Sequence, residues 1–280
     1  MGSVLALLLH RKGHSIVSVI SRTSRSARSL ARVVRCRTAS DQLTDTDPAT
    51  TLVLIATPEE IIGEIAQELS EVPSIRFRSV AVAHTAGALT SDILSPIVRS
   101  GGKTFSLHPV QTFPEGRSLN RQRKVMKGIW YGFEGPKSVR PLARRIVKDL
   151  DGYFLDVPKD RKTLYHIACV FASNYPTILV AALERLAAGI GLDGLEPFRN
   201  LLQTSIRNSQ ELGAAPALTG PLARASARVL ERHYQELASG DPALLHVYVA
   251  LGLYGVQLLR SQHRITDEQA RQMKSALIKT

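Results

Sequence analysis

Three predicted β-strands in the first half of the chain each lead into residues that carry hydroxyl or imidazole groups. The pairs are Thr57-Pro58 after Thr51–Ala56, His84-Thr85 after Ser79–Ala83, and His108-Pro109 after Thr104–Leu107. Ligands of open α/β sheets bind beyond the carboxyl ends of the strands, so these side chains are expected to face one crevice. A single histidine at a strand end is usually a capping or packing residue, but two on neighbouring strand ends favour a site.

An arginine between hydroxyl residues follows the first predicted strand, Ile16–Ile20, which leads into Ser21, Arg22 and Thr23. Dinucleotide-binding domains that prefer NAD place an acid here to bind the ribose hydroxyls. In this chain no acid occurs before Asp41. A guanidinium beside hydroxyls suits the 2′-phosphate of NADP, because it supplies charge and paired donors. The pattern predicts NADP, and the alternative is an ordinary helix N-cap beside a surface arginine.

The phosphate-binding turn of such a domain is represented only by Gly2 and Ser3, at the mouth of a helix predicted over Ser3–Lys12. A Rossmann unit binds pyrophosphate at the N-terminus of the helix after its first strand, with glycines in the turn. Gly2 has the place of the third glycine, and the first strand and first two glycines would precede Met1. One glycine before a helix is weak support by itself. We therefore expect a chain extended upstream by a strand and a Gly-x-Gly turn to bind NADPH more tightly than NADH.

A helix predicted over Lys162–Ile190 gathers polar residues on one face. Four of them follow intervals of i, i+4, i+7 and i+11: Lys162, His166, Cys169 and Ser173. A lysine or histidine on such a face, turned towards a nicotinamide, could handle the proton that accompanies hydride transfer. The alternative is that His166 and Ser173 are hydrogen-bonded polar residues in a helix–helix contact.

The elements that position these residues alternate between strand and helix up to residue 157. Further strands are predicted at Ile129–Glu134 and Tyr153–Val157, and further helices at Ser24–Val34, Thr57–Leu69, Ser91–Arg99 and Pro136–Leu150. The run Thr57-Pro58-Glu59-Glu60 is interpreted as a capping box that starts the second of these helices. The alternation predicts an α/β domain with a Rossmann-like, mostly parallel sheet over residues 1–157.

From residue 158 onward only helices are predicted, and residues 158–280 are expected to form an all-α domain. The predicted helices are Lys162–Ile190, Pro197–Leu212, Pro221–Ala238, Ala243–Arg260 and Asp267–Lys279. The architecture is therefore an α/β domain followed by an all-α domain.

Composition narrows the class of protein. Of the 280 residues, 44% are hydrophobic and 21% charged, which is typical of a globular chain with a core. The two cysteines, Cys36 and Cys169, are far apart, which argues against a disulfide scaffold or a zinc site, and we predict no bound metal. No apolar run reaches the roughly 18 residues that would cross a membrane. We expect a cytoplasmic protein without a membrane partner.

The net charge of +12 is unevenly placed. Residues 1–40 carry eight Lys or Arg and no acid, and a second basic cluster spans Arg117–Lys127. Such patches attract phosphates, so nucleic acid is one candidate partner. The first 40 residues lack an aromatic side chain for base stacking and match no nucleic-acid motif, which disfavours that partner. For the second cluster the plain alternative is a solvated basic surface.

Several ordered motifs resemble one bacterial family. They are TLVLIATPEE, AVAHTAGAL, SLHPVQTFP, GIWYGFEG, KTLYHIACVFASN and LTGPLAR. Proteins of this group join a Rossmann-like NADP-oxidoreductase domain to a C-terminal helical domain of unknown function. The group looks related to pyrroline-carboxylate reductases and 6-phosphogluconate dehydrogenase-like enzymes. The resemblance implies a dinucleotide site in the first domain, a substrate cleft between domains, and a homodimer formed through the helical domain.

The resemblance also implies roles for individual residues. The cofactor side would comprise Gly2 and Ser3 at the phosphates, Ser21, Arg22 and Thr23 at the 2′-phosphate, Ala56, Thr57 and Pro58 at the ribose and nicotinamide, and His84 with Thr85. The catalytic residues would be Lys162, His166, Asn174 and His108. The related dehydrogenases use a Lys and an Asn on the first interdomain helix. Lys162 and Asn174 are the nearest counterparts, at a different spacing.

Two functions remain open at this point. One is an NADP-dependent oxidoreductase acting on a small, anionic carbonyl, imine or hydroxy-acid substrate. The other is a non-catalytic dinucleotide-binding protein whose helical domain serves to dimerise. A substitution of Lys162 or His166 that abolishes turnover and spares NADPH binding would favour the first.

Overall fold

The computed structural model describes residues 1–114, 116 and 118–278. Two predictions touch residues outside that set: Arg117, in the second basic cluster, and Lys279, the predicted end of the last helix. The chain divides into two compact units, Met1–Pro176 and Thr177–Thr280. This division falls inside the longest helix, whereas the boundary predicted at residue 158 coincides with the change from strand to helix.

Among the described residues, the first unit has seven strands: β1 (Ser18–Ile20), β2 (Thr38–Ser40), β3 (Leu52–Ile55), β4 (Ala81–His84), β5 (Lys103–Pro109), β6 (Trp130–Glu134) and β7 (Tyr153–Asp156). β1 and β2 form a two-stranded sheet, and β3 to β7 form a five-stranded sheet in sequential order. Neighbouring strands are parallel except β5 and β6. The predicted mostly parallel sheet is confirmed.

The helices of the first unit are α1 (Gly2–Arg11), α2 (Ser24–Val33), α3 (Ile62–Ser70), α4 (Ser95–Arg99), α5 (Leu119–Lys124), α6 (Arg140–Asp149) and the first half of α7 (Lys162–Gly189). α1 joins the two sheets, because Val4 packs in the core of the five-stranded sheet and Leu7 packs with Val19 of β1. α1 ends as predicted. Gly13 has a φ of 91°, a conformation that favours glycine, and its N–H donates to the carbonyl of His10.

The predicted capping box at Thr57 is wrong. A 3₁₀ turn, Glu59–Ile61, precedes α3, Pro58 takes the cap position, and no side chain caps this turn. The Thr57 hydroxyl is directed to the Pro58 carbonyl at 3.4 Å, because the turn that follows is 3₁₀ instead of α-helical and does not offer the N–H geometry of a capping box. Glu59, which had no part in the predicted cap, reaches the loop after β4, where its Oε1 accepts the N–H of Gly87 at 3.1 Å.

Among the strands and α-helices of the first unit, β2 and α5 escaped prediction. β2 has three residues and α5 has six, which is too short for a hydrophobic period to stand out. β5 is longer than predicted and continues through His108 and Pro109, because its last residues pair with the start of β6. His108 is therefore held by the sheet rather than by a loop.

Among the described residues, the second unit holds the rest of α7 and six further helices: α8 (Glu196–Leu212), α9 (Ala214–Ala217), α10 (Gly220–Ala223), α11 (Ala227–Gly240), α12 (Pro242–Ser261) and α13 (Asp267–Leu277). Its core joins α11, α12 and α13 through Leu230, Val256, Leu259, Met273 and Leu277. The predicted helix Pro221–Ala238 is broken between α10 and α11, where Ala225 has a φ of 49°. The prediction of a helical C-terminal region is confirmed.

Two helical segments are long and apolar enough to cross a membrane by length and composition alone: Lys159–Gly189, which includes α7, and Pro242–Ser261. In the first turns of α7, however, the exposed apolar side chains lie on one side. At about 100° per residue, Leu164, Ile167 and Phe171 share one stripe, and Lys162 lies opposite, where it is 1% exposed. A one-sided stripe is typical of a helix that packs on another helix, whereas a lipid-spanning helix is apolar all round.

Candidate functional site

One row of residues crosses the carboxyl edge of the five-stranded sheet. In the parallel register, Ile55 of β3 lies beside His84 of β4, and His84 lies beside Ser106 of β5. The first turn of α7 reaches this edge, because Lys162 and Tyr165 both hydrogen-bond to side chains of β5. The parallel topology therefore brings the predicted strand ends to the predicted helix face.

Lys162 is a buried cation at the centre of this cluster. Its Nζ donates to Ser106 Oγ at 2.8 Å and lies 5.3 Å from the centre of the Tyr165 ring. Burial lowers the pKa of Lys162 to about 8, because the ammonium loses its hydration, and the charges of Glu134 and Glu59 partly oppose this fall. The amine thus keeps its proton at neutral pH and releases it only slightly above.

Tyr165 forms a second hydrogen-bonded pair with His108. The Tyr165 hydroxyl lies 2.7 Å from His108 Nδ1, and its ring covers the bare backbone of Gly132, where an added Cβ would overlap it. Burial, followed by the charge of Lys162, lowers the pKa of His108 to about 4. Burial also raises the pKa of the Tyr165 phenol. Both groups are therefore neutral at pH 7. Sequence analysis missed Tyr165, although it follows Lys162 by one helical turn.

His108 and His166 converge on Gly87. The two rings stand edge to face, with centres 6.3 Å apart and planes at 81°. A Cβ built on Gly87 would lie 2.6 Å from His166 Cδ2 and 3.0 Å from His108 Nε2. Both rings therefore pack directly against Gly87, and a residue with a side chain at this position would displace them.

His84 forms hydrogen bonds to the backbone of the loop that follows β4. Its Nδ1 accepts the N–H of Ala86 at 3.2 Å, so Nε2 carries the proton and donates to the carbonyl of Thr90, also at 3.2 Å. Burial lowers the pKa of His84 to about 4 and keeps the ring neutral. Thr85, buried beside it, donates its N–H to the carbonyl of Ile55. Both ring nitrogens of His84 are engaged by backbone groups, which gives this residue an anchoring role.

Two carboxylates that sequence analysis did not single out fix the same loop. Glu59 Oε1 accepts the N–H of Gly87 at 3.1 Å and that of Ala88 at 3.5 Å. Glu134 of β6, which is 4% exposed, accepts both the N–H and the hydroxyl of Ser91, the latter at 3.0 Å. No local pattern marks these acids, because their partners lie 28 and 43 residues away in the chain.

The residues predicted to contact the cofactor phosphates lie at the start of α1, and those predicted for the ribose and nicotinamide side lie at the end of β3. α1 has no side-chain cap and no acid in its first turn, so the N–H groups of Gly2 and Ser3 can serve an anion. Gly2 lies against the sheet, since a Cβ on it would be 2.9 Å from the Cβ of Ala56. Thr57 and Pro58 follow at the same edge, with the Thr57 hydroxyl 3.4 Å from the Pro58 carbonyl.

The predicted 2′-phosphate residues follow β1. Ser21 donates its N–H to the carbonyl of Ser40, and Arg22 is exposed. Thr23 is the N-cap of α2, where its side chain accepts the N–H of Ser26. The helix-cap alternative is therefore confirmed for Thr23. Arg22 remains accessible to a phosphate.

Asn174 is separated from the cluster around Lys162. Asn174 follows Lys162 by twelve residues on α7, which corresponds to about 18 Å along the helix axis. Asn174 is exposed, and its Oδ1 accepts the hydroxyl of Ser173 at 2.9 Å. The structure thus brings Lys162, His108 and His166 together and leaves Asn174 apart from them.

Comparisons with solved structures give the same fold over nearly the whole chain. A candidate NADP oxidoreductase from Bacteroides fragilis is 25% identical, with 98% of this chain and 93% of that chain covered and a TM-score of 0.72. Protein TM1727 from Thermotoga maritima is 24% identical, with coverage of 94% and 97% and a TM-score of 0.72. An imine reductase from Myxococcus stipitatus in complex with NADP+ is 16% identical, with coverage of 99% and 89% and a TM-score of 0.57.

Two family descriptions match the sequence in successive regions, and no curated protein shows a significant match. Residues 1–109 match the Rossmann-like domain, and residues 129–254 match a domain of unknown function, DUF2520. The second match begins at the last two strands of the sheet and extends into the helices of the second unit. The chain therefore joins a Rossmann-like domain to a C-terminal domain of the DUF2520 family.

Proposed function

We propose that the protein is an oxidoreductase that uses NADP(H) on a small, anionic carbonyl, imine or hydroxy-acid substrate. The observation that carries the proposal is the row of Ile55, His84 and Ser106, which sets the cofactor-side residues and the Lys162 cluster along one sheet edge. Ligands of parallel α/β sheets bind at this edge. The name of the Bacteroides fragilis protein supports the same reaction class.

The residues at this edge fit an NADP molecule. The uncapped start of α1 would hold the pyrophosphate, because its N–H groups and helix dipole favour anions. Arg22 would pair with the 2′-phosphate, and Ala56 and Thr57 would face the ribose and nicotinamide side. A bound nicotinamide would supply or accept a hydride.

Lys162 and His108 have different tasks in this proposal. Lys162 holds a proton on Nζ, aligned by the hydrogen bond to Ser106 Oγ, and its lowered pKa suits proton exchange near neutral pH. His108 is neutral and binds through a ring N–H instead of transferring a proton. His166 packs against Gly87 beside His108 and would help to orient a molecule bound at this edge.

Arg22→Ala is expected to raise the Kd for NADPH by ten- to a hundredfold and to leave the Kd for NADH unchanged. The reason is the loss of a charge-assisted pair with the 2′-phosphate, which contributes about 1.5–3 kcal/mol. Titration of each nucleotide by calorimetry measures both constants. Arg25→Ala removes another exposed arginine from the same segment and is the matched control. Equal affinity of the unaltered protein for NADPH and NADH would refute the preference.

We further propose that the protein forms a homodimer through α7. Leu164, Ile167, Phe171, Tyr175 and Ile178 are all substantially exposed and fall within one stripe of the helix. Their intervals of three and four residues are typical of a helix–helix seam. Contiguous exposed apolar side chains of this kind mark interaction sites on soluble proteins.

Phe171→Glu is expected to convert the dimer to a monomer, because the side chain is 61% exposed and a second copy would bury the new charge. Analytical ultracentrifugation measures the change, and an unaltered thermal melt shows that the fold is intact. Val98→Glu introduces the same charge at an exposed apolar position of α4 and should leave the dimer unchanged. A monomeric parent protein, or a dimeric Phe171→Glu variant, contradicts the proposal.

A further inference from the structure

A row of arginines lies on the solvent side of α2. Arg25, Arg28 and Arg32 follow one another at intervals of three and four residues, which places them on one face of the helix, and all three are exposed. Arg35 and Arg37 come shortly after the helix and are exposed as well. Within the part of the chain that the structure describes, no carboxylate forms an ion pair with these five arginines. Their charges therefore remain uncompensated at short range.

The carboxylates nearest in the sequence bind other groups. Residues 1–40 contain no acid, and the first acid, Asp41, accepts the hydroxyl of Ser24 at 2.7 Å. Asp45 accepts the hydroxyl of Ser40. Because these carboxylates are engaged by hydroxyl groups, they do not neutralise the arginines through direct contact, and the surface of this segment stays positive.

Packing adds a second basic segment to the first. Leu119 of α5 packs against the small core that contains Ala27 and Ala31 of α2, and α5 also lies against α1. α5 and the residues after it bear exposed cations of their own. Two clusters that are far apart in the sequence thus lie around one core. We call their exposed cations the basic surface: Arg25, Arg28, Arg32, Arg35, Arg37, Arg121, Lys124 and Lys127.

The basic surface adjoins the proposed cofactor site. α2 begins two residues after Arg22, the side chain proposed for the 2′-phosphate, and its ten residues span about 15 Å. Charges act over about 10 Å at an ionic strength of 0.1 M and over about 30 Å at 0.01 M. A nucleotide that approaches Arg22 therefore enters the field of the basic surface before it makes any contact. NADPH responds strongly to this field, because its 2′-phosphate adds up to about two negative charges to those of the pyrophosphate.

We infer that the basic surface captures NADP(H) from solution and accelerates its association with the cofactor site. Long-range attraction of this kind raises association rate constants, whereas dissociation depends mainly on the contacts made in the complex. These cations therefore steer a nucleotide that need not touch them once it is bound. The inference rests on the proposed NADP(H)-dependent function and adds to it the route by which the cofactor arrives.

The triple substitution Arg28→Gln, Arg32→Gln and Arg121→Gln removes three of these charges and leaves Arg22 in place. At an ionic strength of about 0.01 M we expect the association rate constant of NADPH to fall about tenfold, or about twofold for each charge, with little change in the dissociation rate constant. Stopped-flow fluorescence of the reduced nicotinamide measures both constants. Because all three positions are exposed, an unaltered thermal melt is expected and confirms that the fold is intact.

The matched control removes three arginines from the opposite edge of the five-stranded sheet. Arg76, Arg78 and Arg99 are exposed and precede β4 and β5, at the amino ends of these strands. Their replacement by glutamine changes the net charge by the same amount. The association rate constant of NADPH should then fall less than about twofold, because these charges lie at least a strand length from the carboxyl edge.

Salt and the charge of the nucleotide supply two further readouts. At an ionic strength of about 1 M the range of the charges shrinks to about 3 Å, so the unaltered protein and the triple variant should bind NADPH at equal rates. The attraction is proportional to the charge of the ligand. NADH lacks the 2′-phosphate, and its association rate constant should fall only about threefold where that of NADPH falls about tenfold.

Three results would overturn the inference. They are an unchanged association rate constant in the triple variant at low salt, an equal loss in the control variant, and a loss of affinity that comes only from faster dissociation. A triple variant that associates normally with NADPH but binds a short DNA duplex more weakly would assign the surface to nucleic acid instead. If the unaltered protein binds neither NADPH nor NADH, the proposed function fails together with the inference. Binding at an unaltered rate refutes the steering role alone.

Discussion

Replacing Lys162 with methionine is expected to stabilise the protein by about 2 kcal/mol at pH 7 while abolishing turnover. Burial lowers the pKa of this ammonium from 10.5 to about 8, and each pH unit of that interval corresponds to about 1.4 kcal/mol. Methionine fills a similar volume without the charge, which removes about 3 kcal/mol of desolvation cost. Loss of the hydrogen bond to Ser106 lowers the stability of the variant by about 1 kcal/mol, which leaves the net gain of about 2 kcal/mol.

The pH dependence of this gain in stability shows whether it comes from removing the buried charge of Lys162. Between pH 8 and 10.5 the unfolded chain binds the Lys162 proton more tightly than the folded one, so the unaltered protein becomes more stable as the pH rises. The advantage of Lys162→Met should shrink across this window. Urea unfolding of both proteins at pH 7 and pH 10 measures the difference. Lys159→Met, at an exposed ion pair with Asp92, is the matched control.

Measuring the turnover of Lys162→Met decides between an oxidoreductase and a non-catalytic dinucleotide-binding protein, the two functions left open by the sequence. A lysine retained for chemistry weakens the fold, and its removal should cost activity and strengthen the fold together. Consumption of NADPH with any substrate that the unaltered protein reduces, and nucleotide binding by calorimetry, provide the two readouts. A Lys162→Met variant that is less stable at pH 7 would mark Lys162 as a structural cation. Unchanged turnover would favour the non-catalytic alternative.

Acid should destabilise this protein between about pH 6.5 and pH 4, because two buried histidines have lowered pKa values. His84 and His108 have pKa values of about 4 in the folded protein, against 6.5 for an ordinary imidazole. A histidine whose pKa is lowered on folding stabilises the protein fully above pH 6.5, and this contribution is lost as the pH falls towards 4. We expect each ring to contribute about 3 kcal/mol to that loss.

His84→Gln measures how much of the acid-induced loss of stability comes from the His84 imidazole. The glutamine amide is neutral at every pH in the window and can supply both an acceptor and a donor to the loop held by His84. Stability at pH 7 should change little, and the loss between pH 6.5 and 4 should fall by about 3 kcal/mol. Urea titrations at several pH values test this, with His246→Gln, at an exposed position, as the control. An unchanged pH profile would show that His84 takes up its proton in the folded state.

Local patterns predicted most of the scaffold. Continuous apolar runs such as Leu52–Ile55 are typical of buried parallel strands, and the glycine at position 13 marked the end of α1. Alternation of strands and helices predicted the parallel sheet, and the parallel sheet predicted which strand ends meet. The polar face of α7 followed from helical periodicity alone, and Lys162 and His166 both lie where that face meets the sheet.

Tertiary structure decided what those residues can do. Histidines 84 and 108 lie on neighbouring strands and looked alike in the sequence, yet His84 anchors a loop through both ring nitrogens, whereas His108 bonds to Tyr165 and packs against Gly87. The carboxylate of Glu59 accepts a backbone N–H from a residue 28 positions away, a contact that no local pattern predicted. Such choices depend on which polar groups burial leaves unpaired, and unpaired groups exist only once the chain has packed. The sequence by itself therefore determined the sheet edge and the helix face, and packing determined the tautomer, the charge and the direction of each group there.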